Sequence, residues 1–169
     1  MSITSSEKYY GAVVLRLIQE LSDKVNDGNF SISKGLSKSS FILTGNRPKT
    51  LGKGKFIKAG LFIKISNKRL SPWRYNFIKA HQDEIQSLKE QYGQVFVAFV
   101  CGDDGIASID FEQLKEILDD NHEEQEWVSI SREIKQNYRV KGNDGNFEKA
   151  LPRNSFPGNV VSYFKHNLK

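Results

Sequence analysis

The chain has one cysteine, three scattered histidines, no long apolar run and, between residues 28 and 82, no acidic residue at all. Each scarcity excludes something. A single cysteine, Cys101, rules out an intrachain disulfide framework and a multi-cysteine zinc site. At the end of VFVAFVC it is expected to be a small buried apolar residue. That run is the longest apolar one and is far too short to span a bilayer. The first residues, MSITSSEKYY, have no basic segment followed by an apolar one, so no signal peptide is expected. Together these point to a cytoplasmic protein with no membrane partner.

Catalytic signatures are equally sparse. His81, His122 and His166 have no partners at metal-ligand spacing. Gly52-Lys53-Gly54-Lys55 lacks the longer glycine frame ending in Gly-Lys-Ser/Thr that holds nucleotide phosphates. No Ser-His-Asp or Cys-His context carries a supporting motif. Asp103-Asp104-Gly105 and Asn143-Asp144-Gly145 place carboxylates beside glycine, which turn chemistry explains. The acidic stretch 119–126 reads as a solvated loop, with adventitious cation binding as the lesser alternative. No resident cofactor is expected.

What is present is segregated charge. The chain of 169 residues carries a formal net charge of +5. Residues 1–27 have a net charge of −1, 28–82 of +12, 83–126 of −11 and 127–169 of +5. The basic half comprises Lys34, Lys38, Arg47, Lys49, Lys53, Lys55, Lys58, Lys64, Lys68, Arg69, Arg74 and Lys79. Lysines and arginines that replace counterions on a phosphate backbone add affinity through ion release. Arginine can also fork onto phosphate or guanine, which lysine cannot do. The alternative is that this positive segment packs beside the acidic 83–126 segment and is neutralised by it.

The periodicities define an α+β chain without repeats or low-complexity segments. Ser5 or Ser6 can cap a helix over 7–25, with Ala12, Leu15, Ile18, Leu21 and Val25 as its apolar face and Asn26-Asp27-Gly28 as its stop. Short strands follow at 30–33 and 41–44, interrupted by Gly45-Asn46-Arg47-Pro48. A strand over 61–66 sends Leu61, Ile63 and Ile65 to one face and Phe62, Lys64 and Ser66 to the other. The next helix ends at Tyr92 before Gly93. It begins either at Ser71-Pro72 or after Asn76; the period-two spacing of Trp73, Tyr75 and Phe77 favours a strand there. Those three rings are core if buried and base-stacking platforms if exposed. Residues 95–101 read as a strand covered on both faces. A strand over 106–109, a helix over 111–119 and a strand over 127–131 follow. The chain then predicts a hairpin of 138–141 and 147–150 around Asn143-Asp144-Gly145 and a short final helix over 160–168. The expected architecture is a single domain spanning 1–169: a mixed central sheet flanked by helices, in the order α-β-β-β-α-β-β-α-β-β.

The order helix–strand–strand–strand–helix–strand over 7–101 resembles the core of the PD-(D/E)XK, or restriction-endonuclease-like, nuclease superfamily. There, a carboxylate opens the second core strand and an acid-x-Lys triplet sits on the third, so that metal-bound water attacks the phosphodiester. Lys64 matches the lysine and Gln82 matches a glutamine that some members carry in the following helix. Phe62 stands where the acid should be, and 37–44 has no carboxylate. Of the upstream acids, Glu20 on the first helix is the best placed to substitute. The resemblance implies an inactive, nucleic-acid-binding descendant; Mg²⁺ enters only if nuclease activity survives, with Lys64, Glu20 and Gln82 as its residues. The leading expectation is therefore a non-catalytic module that binds DNA or RNA through Lys53, Lys55, Lys58, Lys64, Lys68, Arg69, Arg74 and Lys79. The alternatives are a divergent metal-dependent nuclease and a module that pairs its acidic 83–126 face with another protein or with itself.

Overall fold

The computed structural model describes residues 1–25, 28–49 and 52–169. The expected stop signal at Asn26-Asp27 lies outside them. Helix α1 (Ser5–Lys24) opens at Thr4, not at Ser5 or Ser6. The Thr4 hydroxyl accepts from the Glu7 amide at 3.2 Å, and the Glu7 carboxylate accepts from the Thr4 amide at 2.6 Å. Only Thr4 has a glutamate three residues on, so only it can close this reciprocal box. The buried face is also phased differently from expectation: Val13, Leu17 and Leu21 go inward, whereas Leu15 and Ile18 are exposed. Both sets satisfy three–four spacing and share Leu21. The choice is made by the elements the helix packs against, which its own sequence does not encode.

Strands β1 (Asn29–Lys34), β2 (Ser40–Arg47) and β3 (Lys55–Ser66) form an antiparallel meander. β2 runs through Gly45–Arg47 instead of breaking there, because all three residues pair with β3. β4 (Trp73–Ile78) leads directly into α2 (Lys79–Tyr92), which closes on Gly93 in the left-handed conformation. The chain then returns as β5 (Val95–Cys101), parallel to β3, followed by β6 (Gly105–Asp110) and α3 (Phe111–Lys115). β7 (Gln125–Ser131), β8 (Arg139–Gly142) and α4 (Ser155–Asn167) complete it. The element order is the expected one, with β4 realising the period-two aromatics and α4 the final helix.

The strands make two sheets. A mixed five-stranded sheet has the order β1-β2-β3-β5-β6, and a three-stranded sheet the order β4-β7-β8. β8 pairs with β7 on one edge, and on the other the expected 138–150 hairpin closes loosely, with the Phe147 amide donating to the Val140 carbonyl at 3.0 Å. Residues 146–151 make only two isolated bridges, Tyr138↔Leu151 and Lys141↔Asn146.

Alternation along β3 and β5 explains the layering. Leu61, Ile63, Phe96, Ala98 and Val100 face a core built with α1 and α4. Phe62, Val95, Val97, Phe99 and Cys101 face a second core built with α2, α3 and the small sheet. β5 is buried on both sides, which is why its sequence is continuously apolar. Trp73, Tyr75 and Phe77 all point into the second core and are not available to stack on bases. No helix among the described residues is long and apolar enough to cross a membrane.

Candidate functional site

The α2-facing side of β3 carries the lysine singled out by sequence. Lys64 and Phe62 share this face by alternation, and Ser40 of β2 is the register partner of Phe62. Both Phe62 and Ser40 are fully buried, so the two places where the nuclease core puts acids hold a phenyl ring and a hydroxyl. The Phe62 ring lies 5.6 Å from the His81 ring. Lys64 Nζ donates to the Asn76 carbonyl at 2.5 Å, lies 3.3 Å from His81 Nδ1 and sits 4.9 Å from the centre of the Phe77 ring. Burial pulls its pKa down to about 8. His81 Nδ1 also accepts from the Ile78 amide at 3.4 Å, which leaves the ring proton on Nε2. Burial and the Lys64 charge hold His81 below its ordinary value.

The other residues of the nuclease alternative do not join Lys64. Glu20 is on α1, across the sheet, in an ion pair with Lys24 at 2.6 Å. Gln82 turns from β3 toward β7 and donates its amide to Glu126.

The remaining basic residues separate into groups. Lys53 precedes β3, Lys55 opens it with its Nζ donating to the Lys169 main-chain oxygen at 3.1 Å, and Lys58 lies on the other face of the strand beside the last residue of α2, its Nζ 5.9 Å from the Tyr92 ring centre. Two cross-strand rows are open there. Ser31, Thr44 and Lys58 are aligned by register, as are Asn29, Asn46 and Phe56. Phe56 is 62 % exposed, and Lys58 Nζ stands 5.3 Å from its ring centre. Beyond the far end of β3, Lys68 donates to the Pro72 carbonyl at 2.9 Å, and exposed Arg69 follows it. Arg74 lies on the outer face of the small sheet, its guanidinium 4.7 Å from the Trp127 ring. Lys79 pairs with Asp83 at 2.8 Å. Arg47 aside, Lys79 is the only cation of 28–82 paired with an acidic side chain among the described residues.

Sequence reading missed a third feature. Asp119 after α3, Glu126 on β7 and Asp144 after β8 bring carboxylate oxygens within 4.8 Å of one another. Glu126 is 1 % exposed, while Asp119 and Asp144 face solvent. Burial first, then a hydrogen bond with the Asp144 carboxylate that only the protonated form can donate, and then the charges of Asp144, Asp119 and Glu123 push Glu126 up to about 7. The turn carrying Asp144 fits against the end of α3 because Gly142 and Gly145 have no side chains. A Cβ at these positions would lie 2.4 Å from the Ile117 carbonyl oxygen and 2.1 Å from that of Glu116. The phase of Glu126 was the available signal: it falls in step with Val128 and Ile130, on the inward face of β7.

Comparison with protein-family models, curated proteins and solved structures finds no match for this chain.

Proposed function

We propose that the protein binds nucleic acid through the open edge of β1, β2 and β3, without cleaving it. The observation that carries this is how little compensation the fold provides: among the described residues no acidic side chain pairs with Lys53, Lys55 or Lys58, although Lys55 Nζ donates to the Lys169 main-chain oxygen at 3.1 Å. Lys58 supplies charge for phosphate beside the polar groups of Ser31, Thr44 and Asn46, Phe56 offers a ring face to an unpaired base, and Lys53 and, from the opposite face of β3, Lys55 add charge at the same edge. A binding role is favoured over phosphodiester cleavage by Ser40 and Phe62. With these two in place of acids, Lys64 has no metal-holding partner on its face of the sheet.

The test is fluorescence anisotropy with labelled single- and double-stranded oligonucleotides over a salt series. Affinity is expected to fall steeply with salt. Replacing Lys53, Lys55 and Lys58 together by Ala should weaken duplex binding and reduce the log–log salt slope by about 2–3, near 0.9 per lost phosphate contact. Phe56→Ala should cost single strands more than duplexes. Unchanged affinity in the triple variant overturns the assignment. Salt-reversible self-association in place of oligonucleotide binding would instead favour pairing of acidic and basic faces between copies.

A further inference from the structure

We propose that Asp119, Glu126 and Asp144 form a binding site for Ca²⁺ that ties the end of α3 to the start of β7 and the turn after β8. Three carboxylates from three separate segments converge, with their oxygens within 4.8 Å of one another. No lysine or arginine among the described residues pairs with any of them. Lys115, the nearest cation in sequence to Asp119, pairs instead with Asp120 at 3.2 Å and donates to the Asp119 main-chain oxygen at 3.1 Å.

The second observation is independent of the acids' clustering. Glu126 is 1 % exposed, and its Oε1 is buried without a hydrogen-bond partner. Gln82, 2 % exposed, donates its amide to the other oxygen of the same carboxylate, and its own Oε1 is also buried without a partner. A buried, unsatisfied carboxylate oxygen is costly unless a ligand completes it. Gln82 thus has the position of an outer-shell partner, which orients a ligating carboxylate through the oxygen that the ion does not use.

The two exposed acids are held in a similar way. Asp119 Oδ1 accepts from the Asn121 amide at 2.8 Å, and Asp144 Oδ2 accepts from the Asp119 amide at 3.0 Å. Asp119 keeps its second oxygen for a ligand, and Asp144 also stands within hydrogen-bond reach of the Glu126 carboxyl, so the two face the same point. The site has a buried floor and two solvent-facing walls, so an ion can enter from water.

The donor set selects the ion. Three carboxylates without nitrogen or sulfur suit a hard cation. Ca²⁺ takes oxygens at about 2.3–2.6 Å, so oxygens up to about 5 Å apart can share it. Mg²⁺, at about 2.0–2.1 Å, requires the cluster to contract and holds its waters more tightly. This inference concerns α3, β7 and β8 and does not rest on the nucleic-acid reading of β1–β3.

Isothermal titration calorimetry of the chelator-treated protein with CaCl₂, and separately with MgCl₂, tests it in a buffer of moderate salt. One Ca²⁺ per chain is expected, with a dissociation constant on the order of 10⁻⁴ M, as for weaker carboxylate sites. Its binding should raise the unfolding temperature, and Mg²⁺ should bind more weakly. Glu126→Gln preserves the shape and the Gln82 contact, and should weaken Ca²⁺ at least tenfold with an unchanged far-ultraviolet circular dichroism spectrum. Asp144→Asn, which keeps an oxygen for the Asp119 amide, provides a second variant should the first fail to fold. No saturable Ca²⁺ binding overturns the proposal. So does full affinity in both variants, which would mean diffuse attraction to the acidic surface, or tighter binding of Mg²⁺ than of Ca²⁺.

Discussion

Replacing Lys64 by Met should make the protein more stable at neutral pH, and less conspicuously so as the pH rises. The Lys64 ammonium lies under α2 with a carbonyl, an imidazole and a ring face for company, and among the described residues no carboxylate pairs with it. Its pKa sits at about 8 against an ordinary 10.5. Between those values the unfolded chain binds a proton that the folded one has released. Stability therefore rises with pH across that window, and the cost of the buried charge is fully present below about 8. Taken at face value, the shift gives a change of about 1.8 kcal/mol between about pH 7.5 and 9.5. Lys64 is only half-buried, and solvent screening reduces this to about 1–1.5 kcal/mol. Methionine keeps the unbranched stem and its packing but removes the charge. The Asn76 carbonyl that it leaves unpaired belongs to an exposed residue of β4, an edge strand of the small sheet.

Urea unfolding of both proteins at the two pH values isolates Lys64, because His81, the group that feels the Lys64 charge, titrates below this window. The variant should lead at pH 7.5, and its lead should shrink by about 1–1.5 kcal/mol at pH 9.5. A lead that stays constant refutes the buried-charge argument. A wild type that is the more stable at pH 7.5 means that an acid holds the lysine, the arrangement a working nuclease core requires.

Two further outcomes follow from the same core. Phe62→Glu, which restores the acid-x-Lys spacing, should cost about 3–5 kcal/mol by urea unfolding and confer no plasmid cleavage with Mg²⁺, because the position is fully buried. Near-wild-type stability would show that the space beneath α2 admits water and a charge. Burial pushes the Cys101 thiol up to about 12. It should therefore resist a chromogenic disulfide reagent at pH 8 and react fully in guanidinium; rapid reaction of the native protein would contradict its place in the core.

Element types were legible wherever a local period decided them. The two faces of β3, the double burial of β5 and the strand character of Trp73, Tyr75 and Phe77 all follow from spacing alone. What failed depended on pairing at a distance. α1 offered two apolar stripes and the packed elements chose between them. Residues 138–150 carried a hairpin signal at Asn143-Asp144-Gly145 that the chain honours only loosely, but no local signal showed that β8 would also pair with β7 or that two glycines would let the turn sit against α3. Glu126 was hidden for the same reason: within an acidic run it looked solvated, and only its in-phase position with Val128 and Ile130 marked it as inward.

Charge shows most clearly where sequence logic stops. Twelve cations in 55 residues form one block along the chain, but the block spans four strands and the start of α2. Alternation turns Lys58 and Lys64 to the same side of β3, yet α2 covers the second and ends near the first, beside Tyr92. Arg74 leaves for the outer face of another sheet. A charge run therefore predicts an excess of charge, not a patch, since a patch requires that strand register and covering helices leave neighbours exposed together. At the start of β3 they do so, because β1 and β2 extend past the reach of α2. At Lys64 they do not, and a lysine matched by motif becomes the least available cation of the set. The same rule governs the acids: thirteen lie in 83–126, but the three that converge are chosen by β7, by the end of α3 and by Asp144 from outside that segment.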